Sequence, residues 1–490
     1  MTPLRDLPAL GVGVVYWPQL LGPLELARQQ LDVLEVEPQA FWLRDVSSEA
    51  GYVLDRRAFE HLRGLPHPRI VHGVGFPVGG TVPTSGPELD AFVESVCELD
   101  GVWASEHLSF NRVRGGTRVR DLGFLLPPLQ SAEGVEVCAA NIRAVRAALR
   151  VPFAVETGAN YLRAQPGELP DGEFFASVAR SADCGLLLDV HNLWANQRNG
   201  RQPVLDAVAQ LPLHRVIELH LAGGQEFEGY WVDAHSGLVP GEVLDLAWQI
   251  VPRLPNLKAI VYEVMPEYVA EFGITASDLG AQLDRLRELW RARGRDVPGH
   301  RPGDMPSPRD HASTTPSLSP AQWERAVAAA LGSPAPADEP AGSGPPAVDL
   351  LDDPGVRVLR RLIGGVRAGK VASTLTMTTR LLLLSLGENG MQQIFDEFWA
   401  AEPTRPAASE EAATFARFLG AHPVSARIEA LADVVEFELA AHRAVLTGDA
   451  QRLSLSIDPQ QLVASLREGK PPPAPRRGAF DITVTPPARP

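Results

Sequence analysis

The stretch LLLDVHNLWAN, residues 186–196, joins a run of leucines to three polar residues, Asp189, His191 and Asn192. A short, continuous apolar run is typical of a strand covered on both faces, so we predict a buried strand here. The three polar side chains that follow can all bind protons or metal ions. The segment therefore predicts a core strand that opens into a polar site at its carboxyl end.

Seven further apolar runs alternate with helix-like segments. Together with 185–192, they lie at 11–15, 33–37, 69–75, 101–108, 151–157, 215–223 and 259–266. Three of the helix-like segments are 23–31, 86–100 and 136–150. Eight strands alternating with helices over about 270 residues are typical of an α/β fold of the (β/α)8 TIM-barrel type. A doubly wound open sheet would more often carry a glycine-rich phosphate turn after its first strand. GVGVVYWP, residues 11–18, lacks the G-x-G-x-x-G spacing of such a turn, so this fold is disfavoured.

Two segments rich in proline, serine and glycine interrupt the chain, one at 294–319 and one at 333–348. Segments of this composition cannot bury enough apolar surface to become ordered, so we interpret both as linker. The residues between them, 320–332, have the spacing of one short amphipathic helix. The predicted organisation is a barrel domain at 1–293, a Pro/Ser-rich linker at 294–348 and a second domain at 349–490.

The second domain is predicted to be smaller and mainly helical, with a β-like tail. Apolar residues recur at helical spacing in its segments 355–368, 390–401, 408–420 and 424–447. The tail, AFDITVTP at 479–486, reads as a short strand.

Composition restricts the possible partners and the compartment. The net charge is −15 and the pI about 5.3, so no basic surplus is available for nucleic acid or an anionic membrane. We find neither a signal-peptide pattern nor the ~18 consecutive apolar residues that a membrane helix needs. The three cysteines, Cys97, Cys138 and Cys184, show no metal-knuckle spacing and no complete disulfide framework. We therefore expect a cytoplasmic protein.

Eight histidines and carboxylates lie at or just beyond the ends of the predicted strands: His72, His107, Glu156, Asp189, His220, Asp233, His235 and Glu263. In a (β/α)8 barrel these strand ends surround one mouth, so the eight side chains are predicted to converge. Four carboxylates in one mouth would repel each other unless cations compensate them. A mixed nitrogen and oxygen set without sulfur favours Fe, Mn or Zn, in more than one position, and the spacing alone leaves that choice open.

Strand alternation predicts the roles of further carboxylates. Glu218 shares its parity with His220, so it either orients that imidazole from one layer below or pairs elsewhere. Glu37 ends the second run and is predicted to lie at the same mouth. Glu106 has the opposite parity to His107, and we expect it to face the helix layer.

Several ordered motifs together resemble a known family, the multinuclear non-heme iron-dependent oxidases (MNIO). They are HGVGF, SEHLSF, ETGANYL, LLLDVHNLWAN, IELHLAGG, VDAHS and VYEVMPEY, within about residues 8–290. Members of that family, which includes the iron oxidases of methanobactin biosynthesis, have a (β/α)8 barrel with two or three iron ions. They use O2 to oxidise cysteine, and sometimes other residues, in ribosomally made precursor peptides.

The resemblance implies a set of iron ligands for this chain: His72, His107, Glu156, Asp189, Asn192, His220, Asp233, His235 and Glu263. Glu156 would be the bridging carboxylate, and we expect Glu156, Asp189 and His107 to matter most for catalysis. Asn192 enters the set only through the resemblance, whereas His191, where the family often has Asn, is expected to be a neighbour of the ligands. The implied cofactors are two or three iron ions of mixed Fe(II)/Fe(III) state, with O2 as co-substrate.

The resemblance also implies a partner. Family members commonly work with a separate protein that binds the leader of the precursor peptide, and the second domain here is similar to such a partner. We therefore expect an oxidase fused to its peptide-recognition domain, acting on a ribosomally made peptide. The alternatives are a divalent-metal barrel isomerase or endonuclease-like hydrolase, and a non-catalytic peptide-binding scaffold. The chain departs from the family pattern at VVYWPQ and EPQAFW, which bears on substrate contacts more than on the metal ligands.

Overall fold

The computed structural model describes residues 2–20, 31–44, 51–115, 118–294, 318–332, 348–472 and 476–486. The helix predicted at 23–31 and most of both predicted linkers lie outside these residues. A first compact unit extends to Leu359, and a second begins at Arg360 and includes the short segment Arg120–Phe124. The second unit thus begins later than the 349 of the sequence prediction.

Eight parallel strands close into a barrel, which confirms the predicted fold. They are β1 (Gly11–Val15), β2 (Val33–Val36), β3 (Arg69–Gly73), β4 (Ala104–His107), β5 (Phe153–Glu156), β6 (Gly185–Asp189), β7 (Val216–Ala222) and β8 (Ala259–Glu263). Each strand pairs with its neighbours in chain order, and β8 closes the barrel on β1 with Ala259 opposite Gly11. Every predicted apolar run contains one of the strands.

The helices of the first unit surround the barrel. They are Arg56–Gly64, Pro87–Glu98, Ala132–Ala148, Asp171–Ala182, Val190–Arg198, Val204–Gln210, Gly241–Ile250, Pro266–Glu271, Ala276–Arg291, Pro320–Ala330 and Val348–Leu351. Short additional strands are Trp42–Arg44, Tyr52–Leu54, Phe110–Gly115, Arg118–Leu126, Gln225–Phe227 and Tyr230–Val232. Side-chain caps fix several helix starts; the Ser131 hydroxyl, for example, accepts from the Gly134 N–H.

Side chains that point into the barrel form layers of different chemistry. A lower layer is apolar and includes Ile70, Trp103 and Leu187. Two residues further along each strand, the inward positions become His72 on β3 and Asp189 on β6, and both are buried. Because successive side chains alternate between faces, this apolar layer lies beneath the polar one.

Helix Pro320–Ala330, which follows the last barrel helix, also belongs to the first unit. Helix Pro320–Ala330 begins with a capping box between Ser319 and Gln322, and its Trp323 indole donates to the Pro127 carbonyl at 2.9 Å. Glu324 on the same helix accepts from the backbone N–H and the hydroxyl of Thr81. The sequence prediction of a short helix at this place agrees with the observed bounds.

The second unit is mainly helical and ends in a two-stranded antiparallel sheet. Its helices are the later part of Pro354–Thr374, then Thr376–Ala401, Ala408–Ala421, Val424–Arg427, Leu431–Thr447 and Pro459–Arg467, and its strands are Gln451–Ile457 and Arg477–Val484. Phe395, Phe398 and Phe415 pack together in its core. Among the residues described in either unit, no helix is both long and apolar enough to cross a membrane.

Candidate metal centre

The predicted strand-end residues converge at the mouth of the barrel. β3 to β8 contribute His72, His107, Glu156, Asp189, His220 and Glu263. Asp233 and His235 follow the hairpin formed by Gln225–Phe227 and Tyr230–Val232. Six of these residues, together with Glu35, form three overlapping groups in which the potential ligand atoms of each group lie within 4.8 Å of one another; Asp233 and His235 belong to none of the three.

Glu156 is the centre of the first group. Its Oε2 lies 3.2 Å from His72 Nε2 and 3.1 Å from His107 Nε2. Its Oε1 accepts a hydrogen bond from the Asn192 amide at 3.1 Å. One carboxylate therefore faces two imidazoles through one oxygen and is held by an amide through the other.

Two imidazole nitrogens lie at hydrogen-bonding distance from Glu156 Oε2 but without hydrogen-bond geometry. Glu156 Oε2 is buried and has no hydrogen-bond partner among the described residues, although two imidazole nitrogens lie about as close as such a partner would. Ligand atoms bound to one metal at about 2.1 Å and at angles of about 90–110° are about 3.0–3.4 Å apart. The spacing around Glu156 therefore fits atoms that share a metal ion as well as it fits ion pairs between protonated imidazoles and the carboxylate.

His220 is the centre of the second group. Its Nδ1 lies 3.2 Å from Glu263 Oε2 and its Nε2 lies 3.1 Å from Glu35 Oε2. Glu35 lies inside β2, was not predicted as a site residue, and is fully buried. Glu218, which the parity argument placed beneath His220, is 3.8 Å from Nε2 and instead accepts from the Trp103 indole at 2.8 Å. The carboxylate that contacts the inner nitrogen of His220 most closely is therefore Glu35.

Asp189 joins the two groups. With Glu156 and His220 it forms the third set of potential ligands. Its Oδ1 caps helix Val190–Arg198 by accepting from the Asn192 N–H at 2.7 Å, whereas its buried Oδ2 has no hydrogen-bond partner among the described residues. The Oδ1 of Asn192 is likewise buried and unpartnered there. Both residues therefore present a free oxygen.

Asp233 and His235 complete the mouth from the loop before β8. His235 Nε2 lies 3.2 Å from Asp233 Oδ1 and 3.5 Å from Glu263 Oε2. His235 has a positive φ of 48°, which non-glycine residues seldom adopt. The His235 carbonyl accepts from the Met265 N–H at 3.0 Å, which ties this backbone to the end of β8. A strained backbone therefore directs the imidazole to the centre.

The acidic and imidazole side chains of the centre shift each other's pKa values. Burial raises the pKa of Asp189 well above its usual value, and the Glu263 and Glu156 carboxylates raise it further. Burial lowers the pKa of His220, but the carboxylates of Glu263 and Glu35 outweigh this, so the pKa is well above that of a free imidazole. Protons therefore compensate these carboxylates when no other cation does.

The outer part of the mouth follows the same pattern. Burial lowers the pKa of His107, but nearby carboxylates, chiefly that of Glu156, outweigh this effect and raise the pKa to about 10. The pKa of Asp233 is lowered despite burial, because His235 lies beside it, and that of His235 is raised in return. A metal ion at these positions would have to displace protons from the imidazoles.

Outer contacts orient two of the imidazoles. His72 Nδ1 lies 2.9 Å from the Ser105 hydroxyl, and His107 Nδ1 lies 3.1 Å from the Gly73 carbonyl. Glu106 also lies 3.2 Å from His107 Nδ1 and accepts from the His107 N–H at 2.8 Å. Glu106 was expected to face the helix layer only, and strand parity alone could not show that its carboxylate bends back to its neighbour. Such partners fix the orientation of metal-binding imidazoles.

The donor set fits first-row divalent cations. It combines imidazole nitrogens with carboxylate and amide oxygens and contains no thiolate, which suits Fe, Mn or Zn. Buried oxygens without a hydrogen-bond partner among the described residues include those of Glu156, Asp189, Asn192, Asp233 and Glu263. Unpaired buried carboxylates are costly, and bound cations remove that cost.

One family model matches the barrel of this chain. Residues 11–267, which contain all eight barrel strands, match the family model described as "RiPP precursor modification enzyme MbnB/TglH/ChrH". A UPF0276 protein of Streptomyces avermitilis is 30% identical over 258 residues, which are 52% of this chain and 50% of the relative. A UPF0276 protein of Pseudomonas aeruginosa (strain UCBPP-PA14) is 32% identical over 290 residues, 58% of this chain and 94% of the relative. The chain thus spans about half the length of the Streptomyces relative.

Solved structures similar to this chain are more distant. D-Psicose 3-epimerase from Clostridium cellulolyticum is 12% identical, with a TM-score of 0.36, over 58% of this chain and 99% of the epimerase. Endonuclease IV from Thermus thermophilus is 18% identical, with a TM-score of 0.34, over 58% of this chain and 99% of the endonuclease. At this level of similarity, neither bears on the reaction of this chain.

Proposed function

This chain belongs to the MbnB/TglH/ChrH family of RiPP precursor modification enzymes, and from that premise we propose that it oxidises a cysteine of a ribosomally made peptide with O2 at a multinuclear iron centre. The observation that carries the proposal is the overlap of three potential ligand groups in one mouth, which share Glu156 and His220. Overlapping groups of this kind suit neighbouring metal ions better than a single ion.

The proposed ligands divide by position. His72, His107 and Glu156 would hold one iron, with Glu156 as the bridging carboxylate. His220, Glu263 and Asp189 would hold the next, and Asp233 and His235 complete the centre on the solvent side. The Asn192 amide contacts Glu156 and would hold iron through its unpartnered oxygen. Bound iron would supply redox chemistry with O2 and would acidify a cysteine thiol of the peptide.

The exposure of the proposed ligands indicates where the peptide approaches. The side chains of His107 and His235 are 18% and 27% exposed. Those of His72 and Glu156 are only 1% and 3% exposed. The peptide cysteine would therefore reach the centre from the side of His107 and His235.

The carboxylates of the centre would compensate changes of charge during oxidation. In the proposed reaction the cysteine side chain loses electrons and hydrogen, and O2 accepts them. Glu156 and Asp189 lie where they can balance the positive charge of oxidised iron, because both are buried within reach of His220. In this proposal the chain has a second role besides oxidation, which is to hold the peptide.

We also propose that the second unit binds the leader of the peptide and so replaces a separate partner protein. A cavity of about 390 Å³ in this unit is lined by apolar side chains that include Leu381, Leu384 and Ile457, and by the charged residues Arg427, Glu429, Asp458 and Arg476. Leu384 is 41% exposed. An apolar groove lined also by charges of both signs suits an extended peptide with apolar anchors and polar flanks. A fused binding unit would raise the local concentration of the peptide.

The decisive experiment combines metal analysis with O2 consumption. The protein is purified anaerobically, its iron is quantified, and O2 uptake is measured with cysteine-containing peptides encoded beside its gene. We expect iron-dependent O2 uptake and an oxidised peptide, which His107→Ala abolishes and the exposed control His214→Ala retains. Full activity with zinc alone, or full product formation by His107→Ala, would overturn the proposal. Turnover of a sugar or of DNA by a Zn- or Mn-loaded enzyme, unaffected by O2, would instead indicate the isomerase or endonuclease alternative.

The role of the second unit is tested by binding of the same fluorescently labelled peptides. Leu384→Asp places a charge in the apolar groove and should weaken binding at least tenfold, since a buried charge there remains unpaired. The matched control is Val445→Asp, because Val445 is 49% exposed and does not line the cavity. Equal loss in both variants, or none in Leu384→Asp, would contradict peptide capture by this groove.

A further inference from the structure

His191 lies beside the proposed iron ligands, yet its hydrogen bonds assign it another role. It is completely buried. Its Nδ1 lies 3.2 Å from Asp233 Oδ1, and its Nε2 accepts a hydrogen bond from the Trp231 indole N–H at 2.9 Å. Each ring nitrogen therefore has one defined neighbour.

The indole neighbour decides where the imidazole proton resides. An indole N–H is a donor only, so His191 Nε2 must present its lone pair to Trp231. In a neutral imidazole the other nitrogen then carries the proton, because the hydrogen bond at one nitrogen sets the tautomer. Nδ1–H consequently faces the Asp233 carboxylate and has no lone pair to offer a metal ion.

The surroundings hold Trp231 in place for this task. Its backbone N–H and C=O both bond to the Asn199 side-chain amide at 2.9 Å. Its ring packs edge-on against Trp194 at 4.8 Å, and the Arg198 guanidinium lies 5.0 Å from the centre of each indole. The Trp231 indole N–H donor is thus held by backbone hydrogen bonds, by ring packing and by a cation–π contact.

Gly224 provides independent support for a built contact. A Cβ atom at this glycine would lie 2.4 Å from His191 Nε2 and 2.5 Å from Trp231 Nε1. The backbone therefore passes directly against the hydrogen bond between the two rings, and any side chain there would displace it. Glycine is the residue that this close approach requires.

We propose that His191 is not an iron ligand but a positioning residue, whose Nδ1 faces Asp233 and whose orientation is fixed by the Trp231 indole that donates to its Nε2. The inference rests on the proposed function, since Asp233 is a proposed ligand. Its Oδ1 faces His235 Nε2 and His191 Nδ1 at 3.2 Å each, so the carboxylate is held between a co-ligand and a donor. Carboxylates that bind metals are commonly fixed by such partners, and loss of one typically weakens metal affinity about 10–100-fold.

The first test determines the tautomer without any metal. The protein is labelled with ¹⁵N-histidine, and the resonances of His191 are assigned by their absence in His191→Asn. We expect a neutral ring with the proton on Nδ1 and a bare Nε2. A proton on Nε2 overturns the proposal. In Trp231→Phe, which keeps an aromatic ring but lacks the N–H donor, the Nε2 resonance should shift, whereas the exposed control Trp248→Phe should leave it unchanged.

The second test measures iron retention. Fe(II) is titrated anaerobically against a colorimetric chelator for the wild type, His191→Leu and His191→Asn. The Asn amide can place an N–H near the position of Nδ1, so we expect His191→Leu to lose about 10–100-fold in affinity for one iron and His191→Asn to recover most of it. Equal loss in both variants would identify His191 as a ligand, and no loss in either would remove its positioning role. A wild type that binds no iron would overturn the proposed function itself, which distinguishes the two failures.

Discussion

Glu35 Oε2 and His220 Nε2 lie 3.1 Å apart, and both side chains are fully buried. His220 faces Glu263 through its other nitrogen. An imidazole placed between a proposed ligand and a buried carboxylate is typical of metal centres in which the outer carboxylate makes the histidine a stronger donor. Glu35 therefore contacts the centre although it lies within a strand and not at its end.

The first prediction concerns this carboxylate. We expect Glu35→Gln to lower the affinity for one iron about 10–100-fold while the fold is retained, because the amide is isosteric but carries no charge. The affinity is measured by anaerobic chelator competition and the fold by circular dichroism. The exposed control Glu271→Gln should leave affinity unchanged. Wild-type affinity in Glu35→Gln would show that Glu35 has no influence on the metal.

The second prediction is that iron binding releases protons. The pKa of His107 is raised to about 10 in the metal-free protein, mainly by Glu156 against the effect of burial, so the imidazole is protonated at neutral pH. A ligating imidazole must be neutral, and the affinity for iron should therefore rise as pH increases towards about 10. Calorimetry at pH 7.5 in buffers of different ionisation enthalpy should detect at least one proton released. A binding enthalpy independent of the buffer would contradict this.

His107 should also make the stability of the metal-free protein depend on pH. This stability should fall as pH rises, whereas the affinity for iron should increase. Its pKa is raised by folding, so its contribution to stability is complete below the ordinary value of 6.5 and is lost as pH rises through about 10. Thermal unfolding of the metal-free wild type should therefore be more sensitive to pH between those values than unfolding of His107→Gln.

The third prediction concerns Glu324 on helix Pro320–Ala330. Burial raises its pKa to about 7, although the bonds from Thr81 act in the opposite sense. The raised pKa of an acid means that stability is complete below the ordinary value of 4.5 and declines as pH rises through about 7. Denaturant unfolding of the wild type should show this decline, and Glu324→Gln should not.

Removal of the Glu324 side chain should also destabilise the protein. Glu324→Ala leaves the Thr81 N–H and hydroxyl without their acceptor, which we expect to cost about 1–3 kcal/mol. The control Glu136→Ala alters an exposed glutamate and should stay within about 0.5 kcal/mol of the wild type. Equal effects of the two substitutions would show that helix Pro320–Ala330 is not held by this contact.

The fourth prediction concerns the interruption of helix Thr376–Ala401. Gly387 has φ 71° and ψ 177°, a conformation that is essentially restricted to glycine. Gly387→Ala should therefore destabilise the protein by about 1–3 kcal/mol, measured by thermal or denaturant unfolding. Gly365→Ala is the matched control: Gly365 is exposed within helix Pro354–Thr374, and alanine there should be neutral or stabilising by up to about 1 kcal/mol. The same sign for both substitutions would contradict the argument.

Much of the barrel could be predicted because its signals are local. Each buried parallel strand is one apolar run, and each run ends where the barrel opens. The residues that end the runs, such as Glu156 and Asp189, consequently meet in space. Residues at the strand ends can be assigned to one site without knowing which strands pair, because closure of the barrel brings all these ends together.

Other features could not be read in this way. Glu35 lies within its run rather than at the end, and only its shared parity with Glu37 could have indicated that it faces inward. Strand Gln451–Ile457 was missed although LSLSI alternates between apolar and polar residues as an exposed-face strand does. The contact between His191 and Trp231 joins two segments 40 residues apart and depends on a hairpin whose geometry no local pattern fixes.

The residues around Asp353 have a practical consequence for dissection of the protein. The Asp353 carboxylate accepts from the Arg163 N–H at 2.9 Å, and a Cβ at Gly355 would lie 2.0 Å from the Tyr161 carbonyl oxygen. The Tyr161 hydroxyl in turn accepts from the Asp233 N–H at 3.0 Å. A barrel cut at 293 would therefore lose the support of a loop that reaches a proposed ligand, because the first compact unit extends to Leu359.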